Sequence, residues 1–294
     1  MHRPRNLFIR PRIVLKERNL NINGVQMVGR YNNTSAQDSL PVHAHRDAME
    51  ICFLVKGRQT YHAGGRDHVL CGGDVFITFP NELHSTGDTP QEKGVLYWVI
   101  LQFPRKKQSP FLGLPEHDAA SLIRELLRIK SRHFRGSWDM KELLDGIIVA
   151  CHQSASPLRK TIIANRLVAF LLRVIECSYD QSMGPSGERF REVLRTIKED
   201  LGGQITITSL AAKTGLSVSR FKARFKEETG MPPGEYILRM KIDEAKRQLA
   251  AGGGTVTDTA FALGFPTSQY FATVFKRFTG KRPSEFQKAV RDGA

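Results

Sequence analysis

The chain has 294 residues, of which 40% are hydrophobic and 25% are charged, the composition of an ordinary globular protein. Its 44 Lys and Arg exceed its 29 Asp and Glu, so the formal charge is +15 and a polyanionic partner is expected. Four widely spaced cysteines exclude a disulfide scaffold and a cysteine zinc site. No apolar run approaches twenty residues and no secretory signal is visible, so we expect a cytoplasmic protein without a membrane span.

The first hundred residues have the pattern of a β domain. Segment 1–20 is basic and is predicted to be either an arm folded over this domain or a loosely ordered tail. Short runs rich in β-branched and aromatic residues then alternate with Gly and Pro-Asn turns; they lie at 50–55, 59–62, 75–79 and 95–101. Many short strands with regular turns predict a sandwich or a barrel.

Two histidine motifs lie inside this β region. They read His43-x-His45-x4-Glu50-x6-Gly57 and Gly73-Asp74-x5-Pro80-x3-His84. The pair resembles the two motifs of cupins, which implies a jelly-roll barrel over residues 1–105. In metal-binding cupins the matching side chains are the ligands, here His43, His45, Glu50 and His84. Three imidazoles and one carboxylate suit Mn, Fe, Ni or Zn.

The second motif departs from the pattern of cupin enzymes. It lacks the glycine between Pro80 and His84 and is one residue shorter, so the fourth ligand is not expected to aim well. We therefore expect His43, His45, Glu50 and His84 to line an effector pocket, with no cofactor required. A bound divalent metal and a structural role at the barrel mouth are the alternatives. Trp98 and Tyr61 would suit a polyol ligand, among others.

Helical periodicity follows the β region, over residues 106–185. Three apolar stripes lie within 120–129, 143–151 and 162–175. We predict that these helices provide a dimer interface, and ordinary packing against the barrel is the alternative. Segment 178–187 is small, polar and contains Pro and Gly, so it is predicted to be the linker to a C-terminal domain at 186–294.

Two similar segments near the end of the chain each have the pattern of a helix-turn-helix. In segment 255–286, one apolar run stops at Gly264 and a second run follows, as two short helices around a positive-φ turn require. A shift of 49 or 50 residues superimposes an earlier copy. The earlier copy matches with Thr206, Ala211, Gly215, Phe221, Phe225, Lys226, Gly230 and Pro233, and the later copy with Thr255, Ala260, Gly264, Phe271, Phe275, Lys276, Gly280 and Pro283. Two hairpins that merely pack together are the alternative.

The residues shared by these two copies give the C-terminal segment a resemblance to a known family. Segment 186–294 resembles the DNA-binding domain of the AraC/XylS family of bacterial transcription regulators. The resemblance rests on Ala260, Gly264, Phe265, Gln269, Tyr270, Phe271, Phe275, Lys276, Gly280, Pro283 and Phe286. Thr259 departs from it, because the family usually has a larger apolar residue there. The resemblance implies a double helix-turn-helix domain that binds double-stranded promoter DNA, a cupin-like sensor for a small effector with sugars as the expected class, a homodimer, and RNA polymerase as a partner.

Each recognition helix should present its solvent face to base edges. We predict base contacts from residues that avoid the phenylalanine face: Val218, Ser219, Lys222, Ala223, Ser268, Gln269 and Thr273. Phosphate contacts are predicted for residues further along and for two helix starts: Thr206, Arg224, Lys226, Thr255, Lys276 and Arg277. The predicted function is an effector-controlled transcription regulator without enzyme activity. A metal-dependent cupin enzyme fused to a DNA-binding module and a constitutive architectural DNA binder are the alternatives.

Overall fold

The computed structural model describes residues 7–103, 110–153, 156–179, 188–203, 205–252 and 254–292. The chain divides into two compact units. The first unit lies within 1–33, 39–88 and 94–183, and the second lies within 34–38, 89–93 and 184–294. The predicted domain boundaries at 105 and 185 fall in ranges outside the described residues, and the predicted three-part division stays a prediction.

The first unit is built on an eight-stranded antiparallel sheet. Its strands are β1 Arg12–Lys16, β2 Val25–Asn33, β3 Ala48–Ala63, β4 Arg66–Cys71, β5 Asp74–Thr78, β6 His84–Ser85, β7 Gly94–Gln102 and β8 His133–Arg135. The order is β1-β2-β7-β3-β5-β8, and β4 and β6 also pair with β3. The long β3 therefore joins two ladders, with β5 and β7 along its first part and with β4 and β6 along its second. The predicted cupin-like β fold is confirmed.

Alternation along β3 separates two apolar clusters. Met49, Ile51 and Phe53 belong to the large cluster shared with the helices, whereas Cys52 and Leu54 belong to a second cluster on the other face of the sheet. Because side chains of a strand alternate between faces, Glu50 lies on the face of Cys52 and Leu54.

Helices cover the face of the sheet on which Met49, Ile51 and Phe53 lie. They are α1 Glu17–Leu20, α2 Glu116–Arg128, α3 Asp139–His152 and α4 Arg159–Tyr179. The apolar stripe of α4 is buried in the large cluster, with Leu167, Phe170 and Leu171 at 0% exposure. Most of the α4 stripe, which was predicted to form a dimer interface, is therefore buried by packing within the first unit. Leu127 of α2 and Leu172 of α4 stay 47% and 48% exposed.

The described part of the second unit is helical apart from its connections. Its helices are α5 Glu188–Glu199, α6 Ile207–Thr214, α7 Val218–Thr229, α8 Pro233–Ala250, α9 Val256–Ala262, α10 Ser268–Thr279 and α11 Pro283–Asp292. Both predicted helix-turn-helix copies are present, as α6–α7 and α9–α10, and α8 joins them. No helix in the described ranges combines the length and the apolar character that a membrane crossing needs.

Local signals fix the start and end of these helices. Thr206 accepts a hydrogen bond from Ser209 N and caps α6, and Thr255 with Asp258 forms a capping box at the start of α9. Gly215 ends α6 with φ +70°, and Gly264 turns the chain after α9 with φ +66°, a conformation that glycine adopts without strain.

Candidate nucleic-acid interface and histidine–glutamate cluster

Two equivalent helices, α7 and α10, are held in the second unit by phenylalanines. Phe221 and Phe225 of α7 are fully buried, as are Phe271 and Phe275 of α10. Within each pair the ring centroids are 5.5 and 5.6 Å apart, the contact expected for residues four apart on one helix face. One face of each helix is fixed in the core, and the opposite face is left to solvent.

The residues predicted to contact bases lie on the solvent side of these two helices. Exposed members are Ser219, Lys222, Ala223, Gln269 and Thr273, and Val218 and Ser268 are half-buried first residues of their helices. Ser268 Oγ lies 3.3 Å from Gln269 Oε1 and can donate to it. The structure brings each set together on one helix face, and the base contacts themselves stay predictions.

Sequence reasoning missed Arg220 as a candidate. It lies in the first turn of α7, where its backbone N donates to the capping hydroxyl of Ser217, and its side chain is exposed. The signal was available, because a cation in the first turn of a recognition helix can reach guanine or a phosphate.

The residues predicted to contact phosphates differ in the exposure of their side chains and in their contacts with neighbouring residues. Thr206 and Thr255 are exposed caps that open α6 and α9, and Lys226 and Lys276 are exposed. Arg224 Nε lies 3.6 Å from Glu228 Oε1 one turn on. Arg277 is half-buried, with its guanidinium 5.2 Å from the Phe278 ring centroid. A freely exposed lysine can approach a phosphate more readily than an arginine already in contact with its own unit.

The first unit gathers His43, His45, Glu50 and His84 into one cluster. Two backbone hydrogen bonds join His43 to His84 of strand β6. His43 N donates to His84 O at 3.0 Å, and His84 N donates to His43 O at 2.9 Å. Glu50 Oε2 lies 3.1 Å from His84 Nε2 and 3.7 Å from His45 Nε2. One nitrogen or oxygen from each of the four side chains lies within 4.8 Å of the others.

The expectation that His84 would not aim at the cluster is therefore wrong. The missing glycine and the shorter second motif do not keep His84 from the cluster, because strand pairing fixes the position of β6. His84 pairs with Ala63 of β3 and with His43, so its side chain direction follows from the register of its neighbours.

Burial and mutual contact set the charges of the cluster. Burial would raise the pKa of Glu50, but the imidazoles of His45 and His84 lower it to about 2. Burial lowers the pKa of His43. Burial also acts to lower the pKa of His84, but the Glu50 carboxylate outweighs this and the net direction is upward. The cluster thus holds one firmly ionised carboxylate facing three imidazoles.

The two aromatic residues suggested for a polyol are part of the packed interior. Tyr61 is 5% exposed and stacks on Phe76 with ring centroids 4.9 Å apart. Trp98 is 6% exposed, and its ring packs so closely over Gly29 that a Cβ there would lie 2.0 Å from it. Both side chains belong to the apolar cluster on the Glu50 face of the sheet.

Comparisons with known proteins match both halves of the chain. A family model described as an AraC-like ligand binding domain matches residues 26–137, and a helix-turn-helix domain model matches residues 210–289. The HTH-type transcriptional activator RhaS of Pectobacterium carotovorum subsp. carotovorum is 24% identical over 259 residues, which are 85% of this chain and 88% of the relative. The arabinose operon regulatory protein of Escherichia coli is 26% identical over 242 residues, which are 82% of this chain and 80% of the relative.

Among solved structures, the DNA-binding domain of AdpA, a global transcriptional factor in complex with a target DNA, is similar to part of this chain. The match covers 36% of this chain and 96% of that domain, with 26% identity and a TM-score of 0.35.

Proposed function

We propose that this chain, which belongs to the AraC/XylS family of transcription regulators, reads promoter DNA with α7 and α10 under the control of a small effector. Its membership establishes a ligand-binding domain followed by a helix-turn-helix DNA-binding domain. The observation that carries the proposal is the duplicated recognition helix, with buried phenylalanines on one face and exposed polar residues on the other.

We infer that α7 and α10 each contact a different part of the DNA site. In α10, we propose that Gln269 forms a bidentate pair with adenine. In α7, we propose that Lys222 contacts guanine O6 and N7, with Arg220 as a further candidate. Helix α8 has 18 residues and is about 27 Å long at about 1.5 Å per residue. That length suits two helices in successive major grooves, about 34 Å apart.

We propose that Lys276 and Lys226 supply much of the phosphate attraction. Both are exposed, and each lies in the last turn of its recognition helix, beyond the residues proposed for base contact. Arg277 should contribute less, because it is half-buried against Phe278. Phosphate contacts position the protein on DNA without reading sequence.

The effector is proposed to be a sugar, bound by the first unit near His43, His45, Glu50 and His84. The arabinose operon regulatory protein is named for a sugar operon, which supports this class. We further propose an activator that contacts RNA polymerase, because several relatives are named activators. A cytoplasmic location follows from this role. The relatives are transcription regulators, so we infer that the first unit senses its ligand and does not turn it over.

We propose that the protein acts as a homodimer. The buried stripe of α4 packs within the unit, and the exposed leucines Leu127 of α2 and Leu172 of α4 are apolar side chains that a partner could cover. A dimer would double the number of half-sites read and raise both affinity and discrimination.

The DNA proposal is tested by selecting binding fragments from a random pool and footprinting the protein on the best one. We expect protection over two successive major grooves for each chain. The selected fragment should bind about 1,000-fold or more tightly than scrambled DNA at physiological salt. Equal affinity for selected and scrambled fragments would contradict specific reading.

A further inference from the structure

We propose that Glu92 is a positioning residue for DNA reading, because its buried ion pair with Arg239 of α8 fixes the last turn of the recognition helix α10. Besides the helical region, the second unit contains two short segments, 34–38 and 89–93, that lie much earlier in the chain. Segment 34–38 contacts α10, and segment 89–93 contacts α8 and α10. The inference rests on the proposed function and adds to it a residue outside both helix-turn-helix copies.

The ion pair of Glu92 with Arg239 is bidentate and buried. Arg239 Nη2 donates to Glu92 Oε1 at 2.7 Å, and Arg239 Nη1 donates to Glu92 Oε2. The Arg239 and Glu92 side chains are 8% and 6% exposed. Asp243, one turn further along α8, lies 3.3 Å from Arg239 Nε. Because a buried charge that loses its partner is strongly unfavourable, this pair holds segment 89–93 and α8 in one arrangement.

The ion pair acts on α10 through Phe278, which lies in the last turn of that helix and is 4% exposed. The Arg239 guanidinium, the Lys93 ammonium and the Arg277 guanidinium lie 5.7, 5.8 and 5.2 Å from the centroid of its ring. Each cation attracts the ring, but the cations repel one another. The carboxylate of Glu92 offsets this repulsion because it pairs with Arg239. Without it, the last turn of α10 would be packed against uncompensated positive charge.

The two early segments make further contacts at the same place. Ala36 N donates to Arg277 O at 3.0 Å. The carbonyl of Arg277 lies in the last turn of α10 and therefore has no partner within the helix, so segment 34–38 supplies one. Lys93 forms an ion pair with Glu235 in the first turn of α8. Both segments thus hold the end of α10 from outside the helix-turn-helix.

The position of this helix end decides how well α10 contacts bases. Gln269 and Thr273 precede the last turn on the same helix, so a tilt of α10 displaces both side chains from the base edges. A bidentate pair requires two hydrogen bonds at once and is sensitive to such a displacement. Helix α7 is fixed by its own buried rings, Phe221 and Phe225, and its base preference should not depend on Glu92.

Two other roles of the ion pair make different predictions. If the segments held α10 in an arrangement that opposes DNA binding, loss of Glu92 would tighten binding. If the pair served folding alone, its loss would lower stability and leave the base preference of the folded protein unchanged. The sign of the affinity change and its distribution over base positions therefore distinguish positioning from both alternatives.

The test is binding of the full-length protein to the selected DNA fragment and to its single-base variants, measured by fluorescence anisotropy at fixed salt. The positions that α10 contacts are those at which Gln269→Ala flattens the preference, and those of α7 are the ones that Lys222→Ala flattens. For Glu92→Gln we expect discrimination at the α10 positions to fall at least about fivefold, the lower end of what one base contact contributes. Discrimination at the α7 positions should be retained.

A second variant and a control complete the experiment. Lys93→Gln changes a half-buried side chain and keeps the test informative if Glu92→Gln does not fold; it should reduce discrimination at the same α10 positions. Glu244→Gln is the matched control, because Glu244 also pairs with an arginine of α8, but this partner, Arg247, is 77% exposed. It should leave both sets of positions unchanged. Circular dichroism confirms that each variant is folded.

Three results would overturn the positioning role of Glu92. They are unchanged discrimination at the α10 positions in folded Glu92→Gln and Lys93→Gln, an equal loss at the α7 and α10 positions, and tighter binding by Glu92→Gln than by the parent protein. The preference of the parent protein for selected over scrambled DNA is measured in the same series. It reports the proposed function separately from the role of Glu92.

Discussion

Replacement of Gln269 by alanine is the sharpest probe of DNA reading. Gln269 is the second residue of α10 and its side chain is exposed, so removing the amide should change folding stability by less than about 0.5 kcal/mol. A bidentate pair of glutamine with adenine is worth about 1–3 kcal/mol of discrimination. This energy corresponds to about 5–160-fold in Kd. The loss should be confined to one base position.

The assay is fluorescence anisotropy on the selected fragment and on its single-base variants, at fixed salt. For Gln269→Ala we expect weaker binding to the parent fragment and a flattened preference at one position. Lys276→Ala is the control on the same helix, and it should weaken all fragments alike and lower the salt slope by about one. If Gln269→Ala lost equal affinity on selected and random DNA, the proposed base contact would be refuted.

Three further changes test the scaffold and the assembly. Gly264→Ala should destabilise the protein by more than about 1 kcal/mol in chemical unfolding, because φ is +66° and a Cβ would lie 2.8 Å from Gly202 O. The control Gly252→Ala, where φ is also positive but no atom lies near the added Cβ, should destabilise the protein less. Equal losses for the two variants would contradict the proposed clash with Gly202 O. Phe271→Ala should cost about 3–5 kcal/mol since the ring is fully buried, and an unchanged melting temperature would contradict its role. Leu172→Glu should weaken the proposed dimer in light scattering, and an intact dimer would place the interface elsewhere.

The helix-turn-helix units could be predicted because their signals are local. Gly215 and Gly264, the matched glycines of the two predicted copies, follow α6 and α9 in the structure. Capping threonines, turn glycines and phenylalanines four apart act within one or two turns of chain, so a single sequence displays them directly. Repetition of the pattern then separated it from an ordinary helical hairpin.

Features that depend on distant partners were predicted less well. The stripe containing Phe170 and Leu171 shows that α4 buries one face, but its sequence does not say whether the sheet or a second chain covers that face. The direction of His84 depends on pairing with Ala63 and His43, which motif length alone does not encode. Trp98 was judged by residue type, and only the packing against Gly29 shows that it fills the interior.

The measurement that tests the central claim most directly is the affinity for the selected fragment with and without a panel of sugars. The account predicts that at least one sugar changes Kd about 5–150-fold, the usual size of coupling between two sites, and that Gln269→Ala binds that sugar normally while reading the fragment less well. A Kd that no sugar alters, on a fragment that is bound specifically, would contradict sugar control. It would leave a constitutive DNA-binding protein.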